Sequence, residues 1–473
     1  MKNRVVLMAA VPALFFTACA PGPAYRRPMV SVPRQWPGEP ARGTSAEGAP
    51  VEQWWTTFHD AELESLVSRA AAANLDLQLA AARIQEARAN RGLARSNGLP
   101  QVNAALSATR DRKIIYGVTP AGLPFETNFL HGQFDMSWEA DLFGRISSQV
   151  RGASADLAAQ EEDRRNVLVT LLGDVATNYT LVRGAQLRLG ITERNIGIQH
   201  ETLDLTRALA AAGQATDRDV AQAEAQLELT RAGIPQLETD RDVAIHRLGV
   251  LLGSEPNTLA GELGVPSPLP VIPAEVPVGL PSELLARRPD IRRAENQLAA
   301  ATARIGEARA DFFPRFSLTG TAGRESTQLH LLALGTGNLF SFGPSVSLPV
   351  FTAGRIRANV KVQEARAKQV EVAYRVAVLT ALEETENALI AYSGEQEHCN
   401  RLERAIAADR TALELAREQY RAGLADFLTV LDAERALAGN EDQLAQGRTA
   451  VVTRLVSVYK ALGGGWSAPP NTP

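Results

Sequence analysis

LTRALAAAGQATDRDVAQAEAQL, residues 205–227, lies without a gap on LAREQYRAGLADFLTVLDAERAL, residues 415–437, a displacement of 210 residues. Other landmarks repeat around that pair. RIQEARANRGLARSNGLPQV (83–102) falls on QLAAATARIGEARADFFPRF (297–316), which pairs Arg95 with Arg309 and Pro100 with Pro314 at a displacement of 214. Gly144-Arg145 then falls on Gly354-Arg355 at 210 again, so the stretch between these landmarks is four residues shorter in the second copy. A duplicated unit of this size predicts an architecture built by symmetry. Two copies per chain, multiplied by a cyclic oligomer, predict a ring.

Outward from the repeat, the chain has no proline from Arg145 to Gly213 or from Arg355 to Gly423. A continuous helix of that length would extend on the order of 100 Å at about 1.5 Å per residue, which no compact domain needs. In the first, Ile196, Leu203 and Ala210 form one stride-of-seven row, and Ile198, Leu205 and Ala212 form another. The second copy keeps both rows as Ile406, Leu413, Tyr420 and Ala408, Leu415, Ala422. Because each residue turns a helix by about 100°, an offset of two sets the rows far apart, and such a helix has neighbours on two sides. Each long helix is predicted to end at a glycine, Gly213 or Gly423, where a left-handed residue lets the chain reverse. A second helix returns through Leu227 to about Leu252, or through Leu437 to about Leu462. Pro235 is expected to kink the first return helix and has no counterpart in the second.

Upstream of each long helix the period changes to two. In QFDMSWEADL (133–142), Phe134, Met136, Trp138, Ala140 and Leu142 take one face, and Gln133, Asp135, Ser137, Glu139 and Asp141 the other. Phe316 and Leu318 alternate with Ser317 and Thr319, and Phe340, Phe342, Val346, Leu348 and Val350 with Ser341, Gly343, Ser345 and Ser347. These predict two hairpins, 101–111 with 129–141 and 315–325 with 339–350. An antiparallel sheet with one wet face would satisfy the pattern. So would the wall of a membrane barrel, apolar outside and polar inside. Four strands cannot close such a barrel alone, so the second reading demands an oligomer.

The N-terminus reads as an address. Lys2 and Arg4 precede an apolar run from Val5 to Phe16, too short to span a bilayer as a helix, and small residues precede Cys19. FTAC (16–19) resembles a bacterial lipobox, in which the cysteine becomes the lipidated first residue, although Phe16 stands where Leu is usual. Ala20, not Asp, follows, which implies passage to the outer membrane. The expected divisions are a signal peptide (1–18), a lipid-anchored strap (19–59), repeat 1 (60–254), a Pro-rich linker (255–280), repeat 2 (281–466) and a tail (467–473). Cys399, the only other cysteine, reads as a packing residue. The near balance of 49 Lys plus Arg against 53 Asp plus Glu gives no nucleic-acid footprint.

Several motifs together resemble the TolC-type outer-membrane efflux ducts, in their lipoprotein, OprM-like branch. They are CAPGPAYRRP (19–28), WWTTFHDAELESLV (54–67), DLFGR (141–145), LLARRPDIRRAE (284–295), YRAGLADFLTVLDAE (420–434) and YKALGGGW (459–466). The resemblance implies a mainly α fold with a membrane β part. In it, a homotrimer forms a twelve-stranded outer-membrane β-barrel, four strands per protomer, continued by a twelve-helix periplasmic α-barrel with an internal two-fold repeat. It further implies no catalytic activity, and no cofactor or metal beyond a covalent lipid on Cys19. The implied setting is the outer membrane of a Gram-negative bacterium, and the implied partners are outer-membrane lipid, a periplasmic adaptor and an inner-membrane transporter of the resistance-nodulation-division (RND) class. RAGLADF (421–427) and the weaker AAGQATD (211–217) match the family's adaptor-contacting tips, at Ala212, Gly213 and Gln214 and at Arg421, Ala422, Gly423, Leu424 and Asp426. Leu428 and Asp432 match residues that constrict the periplasmic mouth. TolC itself carries a further Asp where this chain has Thr429, so a two-carboxylate gate does not carry over.

Rival classes have less support. Six scattered histidines, without HExxH spacing or a cysteine cluster, argue against a metallohydrolase. Gly463-Gly464-Gly465 is expected to end a helix and not to open one, so it is no phosphate loop. A periplasmic adaptor lipoprotein would carry one helical hairpin where this chain has two. A TolC-like duct for type I protein secretion shares the fold and remains the alternative.

Overall fold

The computed structural model describes residues 22–36, 43–45, 52–115, 123–328, 330 and 337–466. The signal peptide, Cys19 and the tail lie outside the described residues. The chain forms two compact units, one of 1–28, 84–159 and 295–373 and one of the remainder.

The first unit contains a four-stranded antiparallel sheet in the order β2 (Gln101–Ile115), β3 (Leu123–Ala140), β5 (Arg315–Ser326), β6 (Asn338–Ser347). Its register sets Val102 opposite Met136, Ala104 opposite Phe134, Phe134 opposite Ala322, Trp138 opposite Leu318, Phe316 opposite Val346 and Ala322 opposite Phe340. Directly paired residues share a face, so the apolar sets of all four strands coincide. The other face collects Asn103, Ser107, Gln133, Asp135, Ser137, Thr319, Thr321, Ser341 and Ser345. Polar contacts lace it: Thr321 Oγ1 donates to Asp135 at 3.0 Å, and the hydroxyls of Ser317 and Ser345 lie 2.8 Å apart. The first hairpin is longer than its side-chain pattern suggests, because ladder bonds continue through the charged stretch Arg110–Lys113, where alternation gives no signal. The last strand is shorter. It stops at Ser347, two residues before Pro349, which has no N–H to donate.

At the helical end of the sheet Trp138 Nε1 donates to the Gly98 carbonyl at 2.9 Å, and Arg145 makes a paired bond to Glu139 at 2.9 and 2.8 Å. Asp141 accepts from the backbone N–H groups of Ile146 at 3.0 Å and Ser147 at 2.7 Å, capping α3 (Arg145–Ala211). DLFGR is thus the strand-to-helix joint.

The second unit is helical around a long apolar core. Two β-strand fragments in it, β1 (Thr44–Ser45) and β4 (Val276–Pro277), pair in parallel and tie the strap to the Pro-rich linker. Asp60 caps α1 (Ala61–Ala73), whose Leu63, Leu66, Val67 and Ala70 fall on one stripe and are buried. Short helices α6 (Ala260–Leu263) and α7 (Leu284–Arg287) lie on either side of β4 and precede α8 (Pro289–Ala310). Trp54 stacks on Tyr459 with ring centroids 5.2 Å apart, and Phe58 meets the same tyrosine edge-on at 6.4 Å. Arg288, 6% exposed, is held by Asp290 at 2.6 Å, Glu384 at 2.6 Å and the Ala461 carbonyl at 3.0 Å. The guanidiniums of Arg165 and Arg292 both approach the Trp466 ring, at 4.9 and 5.1 Å from its centroid. The LLARRPD and GGGW motifs are therefore packing devices. Gly463 follows the end of α10 (Phe427–Ala461) with φ +72°, so the glycine run ends a helix as expected.

Where a kink is expected at Pro235, the helix breaks. α4 (Asp217–Ala232) stops before Gly233, and α5 (Ile234–Leu251) restarts with the proline in its first turn, where a missing N–H leaves no bond unmade. The second copy runs unbroken through α10. Cys399 is buried beside Gly447, where a Cβ would lie 2.8 Å from its sulfur, and burial pushes its thiol up to about 11. It packs, as read from the sequence.

Candidate functional site: the helix tips and the sorted sheet

α3 and α9 (Arg355–Arg421) are each 67 residues long and end in the same way. Gln214 N–H reaches back to the Leu209 carbonyl at 2.8 Å, and Leu424 N–H to the Gln419 carbonyl at 2.8 Å. Gly213 N–H bonds the Ala210 carbonyl at 2.9 Å, and Gly423 N–H bonds that of Tyr420 at 3.0 Å. These are Schellman closures, and the glycines take the left-handed conformation that they require. Ala212, Gly213, Gln214, Arg421, Ala422, Gly423, Leu424 and Asp426 are all exposed, Leu424 at 81%.

The return helices start with mirrored chemistry. Thr216 caps α4 and donates its hydroxyl to Asp219 at 2.8 Å, whereas Asp426 caps α10 and accepts the Thr429 hydroxyl at 2.7 Å. Thr429 therefore belongs to the cap. Its hydroxyl and N–H hold the Asp426 carboxyl below the usual carboxylate range.

Past the tip, α10 buries Phe427, Val430, Leu431, Glu434 and Leu437 and exposes Leu428 and Asp432 one turn apart. Among the described residues Asp432 makes no hydrogen bond or ion pair. The buried face is anchored by a cluster that motif reading missed. Arg417 on α9 donates to Glu434 at 2.7 Å and to Thr202 on α3 at 2.8 Å, and Thr202 donates to Glu434 at 2.6 Å. Arg435 adds a bond from α10 to Gln226 on α4 at 2.7 Å. The signal was present in the sequence repeat, where Arg207 and Glu224 stand 210 residues before Arg417 and Glu434. They too form an ion pair, but an exposed one. The copies differ at the mouth pair: Arg218 and Gln222 occupy the places of Leu428 and Asp432.

Of the two helical rows, Leu203, Ile406, Leu413 and Tyr420 are buried within the chain, while Leu415 of the second row is 53% exposed. The second row is therefore left open in the second copy, whereas in the first copy Leu205 packs against the core.

A duplicated pair of long helical hairpins carrying two β-hairpins whose strands sort into one apolar and one polar face defines a TolC-like duct protomer. The chain belongs to the outer membrane efflux protein family, whose model matches residues 66–254 and 280–464, one stretch in each repeat. It is 35% identical over 471 residues to the toluene efflux pump outer membrane protein TtgC of Pseudomonas putida, covering 98% of this chain and 96% of that one. It is 34% identical over 473 residues to the outer membrane protein OprJ of Pseudomonas aeruginosa, covering 98% and 97%. Among solved structures it is similar to the outer-membrane channel OprN, with a TM-score of 0.89, 37% identity and coverage of 95% of this chain and 100% of that one. It is also similar to the open state of the MtrE outer membrane channel of Neisseria gonorrhoeae, with a TM-score of 0.80, 30% identity and coverage of 94% and 98%. The chain is an outer-membrane efflux channel.

Proposed function

We propose that the chain is the duct of a tripartite RND efflux pump, a homotrimer that takes toxic small molecules from a periplasmic adaptor and an inner-membrane transporter to the exterior. The observation that carries this reading is the register of the sheet, which gathers an apolar face and a polar face across four strands and leaves β2 and β6 as edges among the described residues. Unpaired edges are not tolerated in lipid, and three copies supply the twelve strands that close a barrel. The exposed row of Ala408, Leu415 and Ala422 gives α9 a face for the neighbouring copy.

The tips around Gly213 and Gly423 engage the adaptor's helical hairpins, and Cys19 carries the lipid. The strap that follows is seated closely on α8: a Cβ on Gly22, three residues after Cys19, would lie 2.6 Å from the Gly306 Cα. Leu428 and Asp432 close the resting mouth, the leucines by excluding water and the three converging carboxylates by attracting cations. The adaptor opens it by binding the splayed state better than the closed one.

Conductance of purified trimers in planar bilayers tests the gate. Leu428→Ala and Asp432→Ala should each raise it, with a larger rise together, and divalent-cation block should weaken in the Asp432 variant. Currents matching wild type would sink the gate assignment. A solubilised complex with the mass of a monomer would sink the duct.

A further inference from the structure

We propose that Arg110 and Arg112 form a binding site for the phosphate groups of an anionic lipid of the outer leaflet. The site rests on reading the apolar face of the sheet as the lipid-facing one. β2 alternates, and Arg110 and Arg112 share the face of Val102 and Leu106; across the ladder they stand opposite Asn128 and Glu126. The next row toward the helices is Ala108 opposite Leu130, where the unbroken apolar band begins; beyond the arginines the same face carries Ile114 opposite Pro124.

Position follows from connectivity. β2 leaves α2 (Leu75–Ser96) at Gln101 and β3 delivers Ala140 to α3, so the Arg110 end of the hairpin is the end away from the helices. Among the described residues no helix is long and apolar enough to cross a membrane. With the sheet spanning the bilayer, its helix-bearing end faces the periplasm and its Arg110 end the exterior. Leu130 to Ala140 is ten residue steps, which at about 3.3 Å each and a tilt of about 40° gives roughly 25 Å, the height of an outer-membrane apolar band. The guanidiniums therefore fall at headgroup level.

The charges on this face leave the arginines in excess. Both arginines share one carboxylate, Glu126, at 2.7 Å from Arg110 and 3.6 Å from Arg112, and their side chains are 73% and 69% exposed. Asp111 and Lys113 point to the other face and pair with each other at 3.6 Å, so they cancel. Two planar forks with five N–H donors each exceed what one glutamate can engage, and phosphate is the anion that such forks bind bidentately.

The test is native mass spectrometry of the purified full chain in detergent, titrated with bisphosphorylated lipid A, monophosphorylated lipid A, phosphatidylglycerol or inorganic phosphate. Wild type should prefer the bisphosphorylated lipid. Arg110→Gln/Arg112→Gln should weaken its binding about ten-fold, the loss expected for charge-assisted bonds. Glu126→Gln keeps both arginines and should tighten it, and Lys113→Gln on the opposite face should change nothing. Equal affinity of the double variant and wild type would overturn the site, as would indifference to the number of phosphates. Inorganic phosphate or phosphatidylglycerol binding as tightly as lipid A would overturn the assignment to the outer leaflet. A wild-type chain that fails to float with liposomes would defeat the membrane reading beneath it.

Discussion

Gly213 and Gly423, 210 residues apart, hold the same left-handed backbone, with φ of +73° and +71°, and at both a Cβ would meet no atom within 4 Å. Space is therefore not why either tip has glycine. The backbone conformation is, because an L-residue with a β-branch is strained there.

Gly423→Val should accordingly cost about 1–2 kcal/mol of local strain without a steric clash, leaving assembly intact and the tip deformed. Gly423→Asn should be tolerated, since asparagine accepts this conformation. Efflux activity measured as toxicant susceptibility in a deletion strain should be lost with Val and kept with Asn. Full activity of the Val variant would mean that coupling occurs elsewhere.

Two ion pairs with the same repeat position should differ in worth. Arg417–Glu434 has side-chain exposures of 24% and 4%, against 50% and 49% for Arg207–Glu224. Arg417→Ala leaves a buried carboxylate without its cation and should cost about 3–5 kcal/mol, whereas Arg207→Ala should cost about 0.2–1 kcal/mol. Denaturant unfolding of the two variants measures the difference. Equal losses would show that the cluster joining α3, α9 and α10 does not hold them together.

The Glu62 carboxyl lies beside that of Glu262, and one of its oxygens is buried without a hydrogen-bond partner. The hydrogen bond to Glu262 is the main reason why the Glu62 carboxyl is raised from 4.5 to about 7, with burial second. Glu262 is held down by the same bond and by Arg69 at 2.7 Å. The native chain thus binds the Glu62 proton more tightly than the unfolded chain does. Stability from this group is complete below pH 4.5 and lost as pH rises through about 7. Glu62→Gln can donate without titrating, so its melting temperature should vary less between pH 5 and 8 than that of wild type, and lie higher at pH 8. An unchanged slope would refute the raised Glu62 carboxyl.

Gly306 should be intolerant of a side chain. A Cβ there would lie 2.9 Å from Ser148 Oγ and 3.4 Å from the Gly22 Cα, so Gly306→Val must lift the strap or shift α3. Limited proteolysis should then cut within residues 22–28 faster than in wild type. Identical cleavage would show that the strap is not seated by this contact.

The sequence by itself determined what depends on neighbours a few residues away. Gly213 and Gly423 announced the helix ends because only a left-handed residue satisfies the last carbonyls, and the alternation in 133–142 announced two faces because successive strand residues point oppositely. The strand limits were less legible: ladder bonds between backbones run on through Arg110–Lys113, where the side chains carry no alternation. Tertiary structure alone decided the rest. No local rule places Phe134 between Ala104 and Ala322, or brings Arg417, Glu434 and Thr202 together, since those partners lie on different elements. The Arg207–Glu224 and Arg417–Glu434 pairs differ in the same way. Sequence makes them equivalent, yet one is buried and the other open, because burial is set by what packs over a site and not by the residues that occupy it.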